Sequence, residues 1–261
     1  MEMKTVLKVD QINYQIKNSK ILNNISFSLN TGEVLGLIGP NGSGKSTLLK
    51  ILSKIIDRQY SGFISCDDSS ISDVNMETWA SQVTYVGHDF FSDFPLTVYD
   101  VVDLASHLNF KKLSQFDQKK IKNFIFEILS ELKCDHLSNK NLFELSSGER
   151  QLVALARARA QGAKTLLLDE VTSFLDLDHQ SLMVGHFKSW CKQGNSIVMV
   201  SHDINFTLLC ADKVLLINRG EQIGFGSVEE TINEVNLKKL YPKNKLKIDY
   251  HPVRNSKYIY F

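Results

Sequence analysis

The chain is nearly without net charge: 30 Lys and Arg stand against 29 Asp and Glu, leaving +1 at pH 7. No global field therefore draws it to nucleic acid or acidic lipid, and no nucleic-acid partner is expected. It lacks any uninterrupted apolar run of the roughly 18 residues that a bilayer span requires. Met1-Glu2-Met3-Lys4-Thr5 carries no apolar h-region, so no secretory signal is visible and the chain is expected to be soluble by itself. Its four cysteines, Cys66, Cys134, Cys191 and Cys210, lie far apart and form no C-x-x-C pair. A reduced, cytosolic setting with the cysteines as small core residues is the default reading. No internal repeat and no low-complexity linker interrupts the 261 residues. With 43% hydrophobic and 23% charged residues, the chain has material for one large domain or a core with a subdomain.

What is present is concentrated in short stretches. Gly39, Pro40, Asn41, Gly42, Ser43, Gly44, Lys45, Ser46 and Thr47 fill the pattern G-x-x-x-x-G-K-[ST] directly after the apolar run Val34-Leu35-Gly36-Leu37-Ile38. A buried strand would deliver the chain to a glycine loop whose backbone N–H groups can turn inward around phosphate oxygens. A helix then begins at the lysine, with Leu48, Leu49, Leu52, Ile55 and Ile56 on one face. Lys45 is placed to meet the β/γ-phosphates and the Ser46 hydroxyl to ligate Mg²⁺, so a nucleoside triphosphate is the expected ligand.

Thr165-Leu166-Leu167-Leu168 is an apolar strand ending in Asp169 and Glu170. Beside such a loop, Asp169 can hold Mg²⁺ through water and Glu170 can polarise an attacking water; the bland alternative is a strand followed by an acidic turn. Leu145-Ser146-Ser147-Gly148-Glu149 opens a helix with Leu152, Leu155 and Ala156 at helical spacing. That is either an anion-binding turn or a simple capping box.

Elsewhere the periodicity alternates. Ile21, Ile25, Phe27 and Leu29 read as strand, with Asn30-Thr31-Gly32 turning into the loop-bearing strand. Gln82 to Val86 is another strand; residues 98–133 are helical, with an apolar stripe at Ile121, Phe124, Ile125, Ile128, Leu129 and Leu132. Ser196 to Val200 is a buried-type strand preceded by a helical segment near 178–193, and Asp212 to Phe225 reads as a hairpin around Arg219-Gly220-Glu221. Strands alternating with helices imply a mostly parallel sheet covered on both faces.

The order of these stretches, continued by Ser173-Phe174-Leu175-Asp176 and Ser201-His202-Asp203, resembles the ATP-binding-cassette ATPases of membrane transporters over nearly the whole chain. The resemblance implies an α/β P-loop NTPase fold: an N-terminal antiparallel β-subdomain, a RecA-like core and an inserted helical subdomain. It divides the chain into residues 1–88, 89–160, 161–235 and a tail at 236–261. It implies ATP and Mg²⁺ as cofactors and two copies meeting head to tail. Ser146, Ser147, Gly148 and Glu149 would contact the γ-phosphate bound by the other copy, and Asp176 would lie in the loop crossing that interface. His202 would act as the switch histidine with Glu170.

Four positions depart from the family pattern. Ser147 stands for a glycine and Val171 for a proline. The residue stacking on adenine is either Tyr14 or Ile16. His88, in Tyr85-Val86-Gly87-His88, occupies the place of a glutamine near the Mg²⁺ site, where it can donate, accept or bind metal. Phe90, Phe91 and Phe94 follow, as core plugs or as a groove for a helix of a membrane partner. Gly224-Phe225-Gly226-Ser227, Leu240-Tyr241-Pro242 and the tail with His251-Pro252 look like the iron-siderophore, haem and cobalamin importer ATPases. That subclass implies an ATP-hydrolysing importer subunit with transmembrane permease subunits, a periplasmic or surface binding protein met indirectly, and a peripheral place on the cytoplasmic face of the membrane. The alternatives are an exporter ATPase and a cytosolic cassette ATPase of the iron–sulfur assembly type.

Overall fold

A computed structural model describes residues 4–67, 69–87, 95–110, 118–171, 177–244, 246–251 and 256–260. The chain opens with β1 (Thr5–Ile16) and β2 (Ser19–Asn30), then β3 (Val34–Ile38) and α1 (Lys45–Leu52). β4 (Tyr60–Cys66), β5 (Ser69–Ser70), α2 (Met76–Ala80) and β6 (Val83–Val86) follow. Next come α3 (Val98–Phe110), α4 (Gln118–Glu131) and α5 (Ser147–Gln161). Strands and helices then alternate: β7 (Thr165–Asp169), α6 (Leu177–Lys192), β8 (Ser196–Val200), α7 (Ile204–Cys210) and β9 (Lys213–Asn218). The chain closes with β10 (Glu221–Ser227), α8 (Val228–Thr231), α9 (Glu234–Leu240), β11 (Lys247–His251) and β12 (Ser256–Tyr260).

One sheet runs in the order β5-β4-β1-β2-β10-β9-β3-β8-β7-β6. From β9 to β6 every neighbouring pair is parallel. β1, β2, β4 and β5 pair antiparallel. The strands β3, β7 and β8 are buried at every residue, which is the pattern of a sheet covered on both faces. Period-2 geometry divides β7: Leu166 and Leu168 enter the layer built from α3, α4, α5 and α6, while Leu167 enters the layer around α1 and the β1–β2 hairpin. The expected stripe on α4 is present: Ile121, Ile125, Ile128 and Leu129 are buried, and the Phe124 ring meets Phe110 edge-on at 5.2 Å. The hairpin between β9 and β10 turns at Arg219 and Gly220, both with positive φ (50° and 79°), as a twisted two-residue turn requires.

Two features differ from the expectation. Helix α1 stops at Leu52 rather than carrying its apolar face to Ile56, and Ile55 is exposed. The reason is Lys54, which takes a left-handed conformation (φ 64°) and buries its ammonium under the carbonyls of Ile71 and Val74, each at 2.6 Å. The indole of Trp79 caps the same end by donating to Leu52 O at 2.8 Å. The tail also forms a separate β11–β12 ribbon, which the sequence had not suggested. Asn205, on α7, clamps it: its amide donates to Ile259 O (2.9 Å) and its carbonyl oxygen accepts from Ile259 N (2.7 Å), while Ile259 joins a third apolar layer with Leu208 and Leu237. Among the described residues no helix is long and apolar enough to cross a membrane.

Trp79 is fully buried and supplies the hydrogen bond that ends α1. Trp79→Ala should therefore lower unfolding free energy by about 3–5 kcal/mol in a denaturant titration. An unchanged midpoint would show that α1 is terminated without it.

Candidate active site

The loop Gly39–Gly44 is held open by close backbone approach rather than by its own side chains. A Cβ on Gly39 would lie 1.9 Å from Ile217 O on β9, so only glycine lets the loop pass that strand. Gly44 precedes α1 with φ 104°, and a Cβ there would meet Leu22 and Ile21 of β2 at 2.7 and 2.8 Å. The same contacts bring the β1–β2 hairpin to the loop's flank.

Lys45, the first residue of α1, donates to the carbonyls of Gly39 (2.8 Å) and Pro40 (3.0 Å) and so folds back across the loop. Burial lowers its pKa, while the carboxylates of Glu170 and Asp169 act in the opposite sense and favour the cation. Ser46 Oγ donates to Asp169 Oδ1 at 3.0 Å, joining the start of α1 to the end of β7. Asp169 is only 5% exposed. The Tyr85 hydroxyl, from β6, donates to its other oxygen at 3.0 Å.

Glu170 follows with φ 60°, a left-handed conformation that costs a non-glycine residue on the order of 1–3 kcal/mol. Its N–H donates to Val200 O at 2.9 Å, which ties it to the end of β8. Its carboxylate meets His202 Nε2 at 2.8 Å, and His202 leads directly into Asp203, the cap of α7. Val171, next in the chain, is buried. Gly39, Pro40, Asn41 and Lys45 face Ser201, His202 and Tyr241 across a cleft of about 310 Å³. A larger cavity of about 520 Å³ lies between α6 and α7, and no residue of the glycine loop lines it.

The donors around Asp169 suit a hard divalent cation. Ser46 and Asp169 offer adjacent oxygens, and among the described residues no cluster of three His, Cys, Asp or Glu forms a dedicated cage. Mg²⁺ is commonly held in this way, by one or two protein oxygens together with substrate phosphates and waters.

The turn at Ser146 is a complete capping box: Glu149 N donates to Ser146 Oγ (3.2 Å) and Ser146 N to Glu149 Oε2 (2.7 Å). The Ser146 N–H and then its hydroxyl hold the Glu149 carboxyl below its ordinary pKa. Ser146 and Ser147 are exposed at the start of α5 and remain accessible to another molecule. Tyr14 is buried, 8% exposed, within the apolar layer under α1, whereas Ile16 two residues on is 48% exposed. Of the two residues weighed for stacking on adenine, only Ile16 presents substantial surface. His88, Phe90, Phe91, Phe94 and Asp176 lie outside the described residues. The Tyr85–Asp169 contact went unnoticed in the sequence. Strand parity could have found it, since Tyr85 pairs with Leu167, and Asp169 lies two residues further along the same face of the neighbouring strand.

Residues 22–173 match the sequence profile of the family described as ABC transporter. The chain is 33% identical over 247 residues to a hemin import ATP-binding protein of Pseudoalteromonas translucida, covering 92% of this chain and 93% of that protein. It is 29% identical to a manganese transport system ATP-binding protein of Listeria innocua, covering 90% and 95%. A solved structure of a metal-chelate type ABC transporter in an inward-facing conformation superposes with a TM-score of 0.80 at 26% identity, covering 99% of this chain and 97% of that one.

Because a methyl at position 39 would strike the Ile217 carbonyl, Gly39→Ala should displace the loop and weaken ATP binding at least about tenfold, with the sheet intact. Calorimetric ATP titration together with far-ultraviolet circular dichroism checks this. Unaltered affinity would mean that the loop accommodates the methyl.

Proposed function

The chain belongs to the ABC transporter family of ATP-binding subunits and is an ATPase; we propose that it powers an importer of metal chelates, with an iron-siderophore or haem as cargo. The observation that carries the chemistry is that Lys45 and His202 line one cleft, with Asp169 joined to Ser46 at the start of α1 and Glu170 paired to His202. Support for the cargo comes from the hemin import relative and the metal-chelate type transporter, while the manganese transport relative supports the import of metals in general.

On this reading Lys45 exchanges the carbonyls of Gly39 and Pro40 for β/γ-phosphate oxygens when ATP enters the loop. The backbone N–H groups of residues 42–47, at the positive end of α1, take the remaining phosphate charge. Ser46 and Asp169 hold Mg²⁺, which when bound neutralises charge developing on the phosphate oxygens. Glu170 orients the attacking water and His202 its partner oxygen on the γ-phosphate. Their 2.8 Å contact holds the two groups together before ATP arrives. Ile16 supplies the apolar surface under the adenine.

The turn of Ser146, Ser147, Gly148 and Glu149, exposed at its two serines, serves the ATP bound by a second copy, and Asp176 would act at the contact between the copies. His88, at the sequence position of the family's glutamine, would serve beside the metal. ATP binding closes the head-to-tail dimer, hydrolysis reopens it, and transmembrane permease subunits follow the motion. Phe90, Phe91 and Phe94, outside the described residues, would receive a permease helix, and the subunit would then sit peripherally on the cytoplasmic face of the membrane. A binding protein outside the membrane would deliver the cargo without touching this chain.

Glu170→Gln should lower turnover by about 10²–10⁴-fold with ATP affinity retained, and the variant should accumulate as an ATP-bound dimer on size-exclusion chromatography. Lys45→Ala should instead weaken ATP binding itself. Hydrolysis at the parent rate in the Glu170 variant would sink the mechanism. For the cargo, the subunit should be reconstituted with its permease. Uptake of haem or a ferric siderophore, but not of free Mn²⁺, is expected, and the reverse selectivity would overturn the assignment.

A further inference from the structure

Asp169 is held by Ser46 and by Tyr85, and of these Ser46 alone belongs to the glycine-loop machinery. Ser46, on α1, donates to Oδ1, and the phenol of Tyr85, on β6, donates to Oδ2, each at 3.0 Å. Tyr85 is itself held at its backbone, where Arg157 of α5 donates from Nη2 to the Tyr85 carbonyl at 3.0 Å. Its ring lies over Gly87. A Cβ built on Gly87 would sit 2.5 Å from the Tyr85 hydroxyl oxygen and 2.7 Å from ring carbons Cε1 and Cζ. Unlike Gly44, Gly87 has a backbone conformation open to any residue, so glycine is needed here for space alone. The volume that a side chain at 87 would fill is the volume through which the phenol reaches the carboxylate.

We propose that Tyr85 is a positioning residue for ATP hydrolysis, its phenol holding the Asp169 carboxylate in the one orientation that presents Oδ1 beside Ser46, and that Gly87 exists to admit that ring. The proposal rests on the reading of Asp169 as a holder of Mg²⁺. A carboxylate bonded at both oxygens cannot swing about its terminal torsion, so its metal-facing lone pairs stay aligned before the nucleotide arrives. Without the phenol, a carboxylate that is 5% exposed loses a fixed donor and gains a rotational freedom that metal binding must then remove. Groups that orient a metal ligand in this way change metal affinity by about 10–100-fold when removed.

The experiment uses the purified full chain and four variants: Tyr85→Phe, which keeps the ring, Gly87→Ala, the double variant, and Asp169→Asn. Three quantities are read: the thermal stability without ligand, the affinity for ATP in EDTA, and the Mg²⁺ concentration at which ATP gives half its full thermal shift. For Tyr85→Phe the affinity for ATP in EDTA should match the parent and the unliganded stability should fall modestly, because a buried carboxylate loses a donor, while the Mg²⁺ midpoint rises at least about tenfold. Gly87→Ala should reproduce that rise by pushing the ring aside. The double variant should be no worse than either single one, since both remove the same contact. A parent-like Mg²⁺ midpoint in Tyr85→Phe, additive losses in the double variant, or equal losses in EDTA and in Mg²⁺ would each overturn the assignment. Asp169→Asn separates the two levels of argument. A normal midpoint there removes Asp169 from the metal site and the proposal with it. A raised midpoint there beside a normal one in Tyr85→Phe leaves Asp169 in place and rejects Tyr85 alone.

Discussion

A carboxylate at the end of a buried strand can remain charged only where hydrogen-bond donors surround it, and the arrangement of this protein follows from where those donors come from. Asp169 closes β7, and its oxygens are met from α1 and from β6. For α1 to reach it, β3 must run parallel to β7 with β8 between them, so that the end of one strand and the start of the helix after another arrive at one edge. That parallel order needs crossover connections, and the connections are the helices that cover the sheet. The antiparallel layer, the helical block and the terminal ribbon attach to this frame without altering it.

The frame explains the charge economy of a nearly neutral molecule. One ammonium, Lys45, is placed among the acidic groups of the cleft and compensates them while no phosphate is bound. A second, Lys54, is drawn inside for a different purpose, with its charge satisfied by loop carbonyls and by Asp57 at 3.7 Å. Their nine-residue separation hides two unrelated roles. The first ammonium faces a ligand cleft and the second locks a loop against the end of a helix.

Much of this was legible beforehand because the determining interactions are local. The glycine loop, the strand ending in Asp169 and Glu170, and the capping box at Ser146 are each written in fewer than ten consecutive residues. The buried strands could be read from their apolar runs, since both faces of a parallel sheet are covered. What escaped depends on residues distant in the chain. The apolar spacing of α1 continues to Ile56, yet the helix ends early because Lys54 finds partners at Ile71 and Val74, and no periodicity encodes that. Tyr14 looks like an aromatic awaiting a ligand, yet its ring is buried in the apolar layer it shares with Leu22 and with Leu48, the latter distant in the chain. The Tyr85 phenol was hidden for a similar reason: its partner lies 84 positions away, and only the register of β6 against β7 brings them together.

The clamp between Asn205 and Ile259 bears on the order in which the molecule is completed during synthesis. Helix α7 begins two residues after His202, but its Asn205 amide has its backbone partner in the last strand of the chain. A ribosome releases residues from the N-terminus, so the glycine loop, Asp169 and Glu170 can all meet before Ile259 has left the exit tunnel. The apolar layer around Leu208 and Leu237 closes only when that strand docks. A nascent chain can therefore form the phosphate cradle while Asn205, on the helix that follows His202, still lacks its partner in β12. Translation timing thereby separates the assembly of the nucleotide cleft from the final seating of the segment that leaves it.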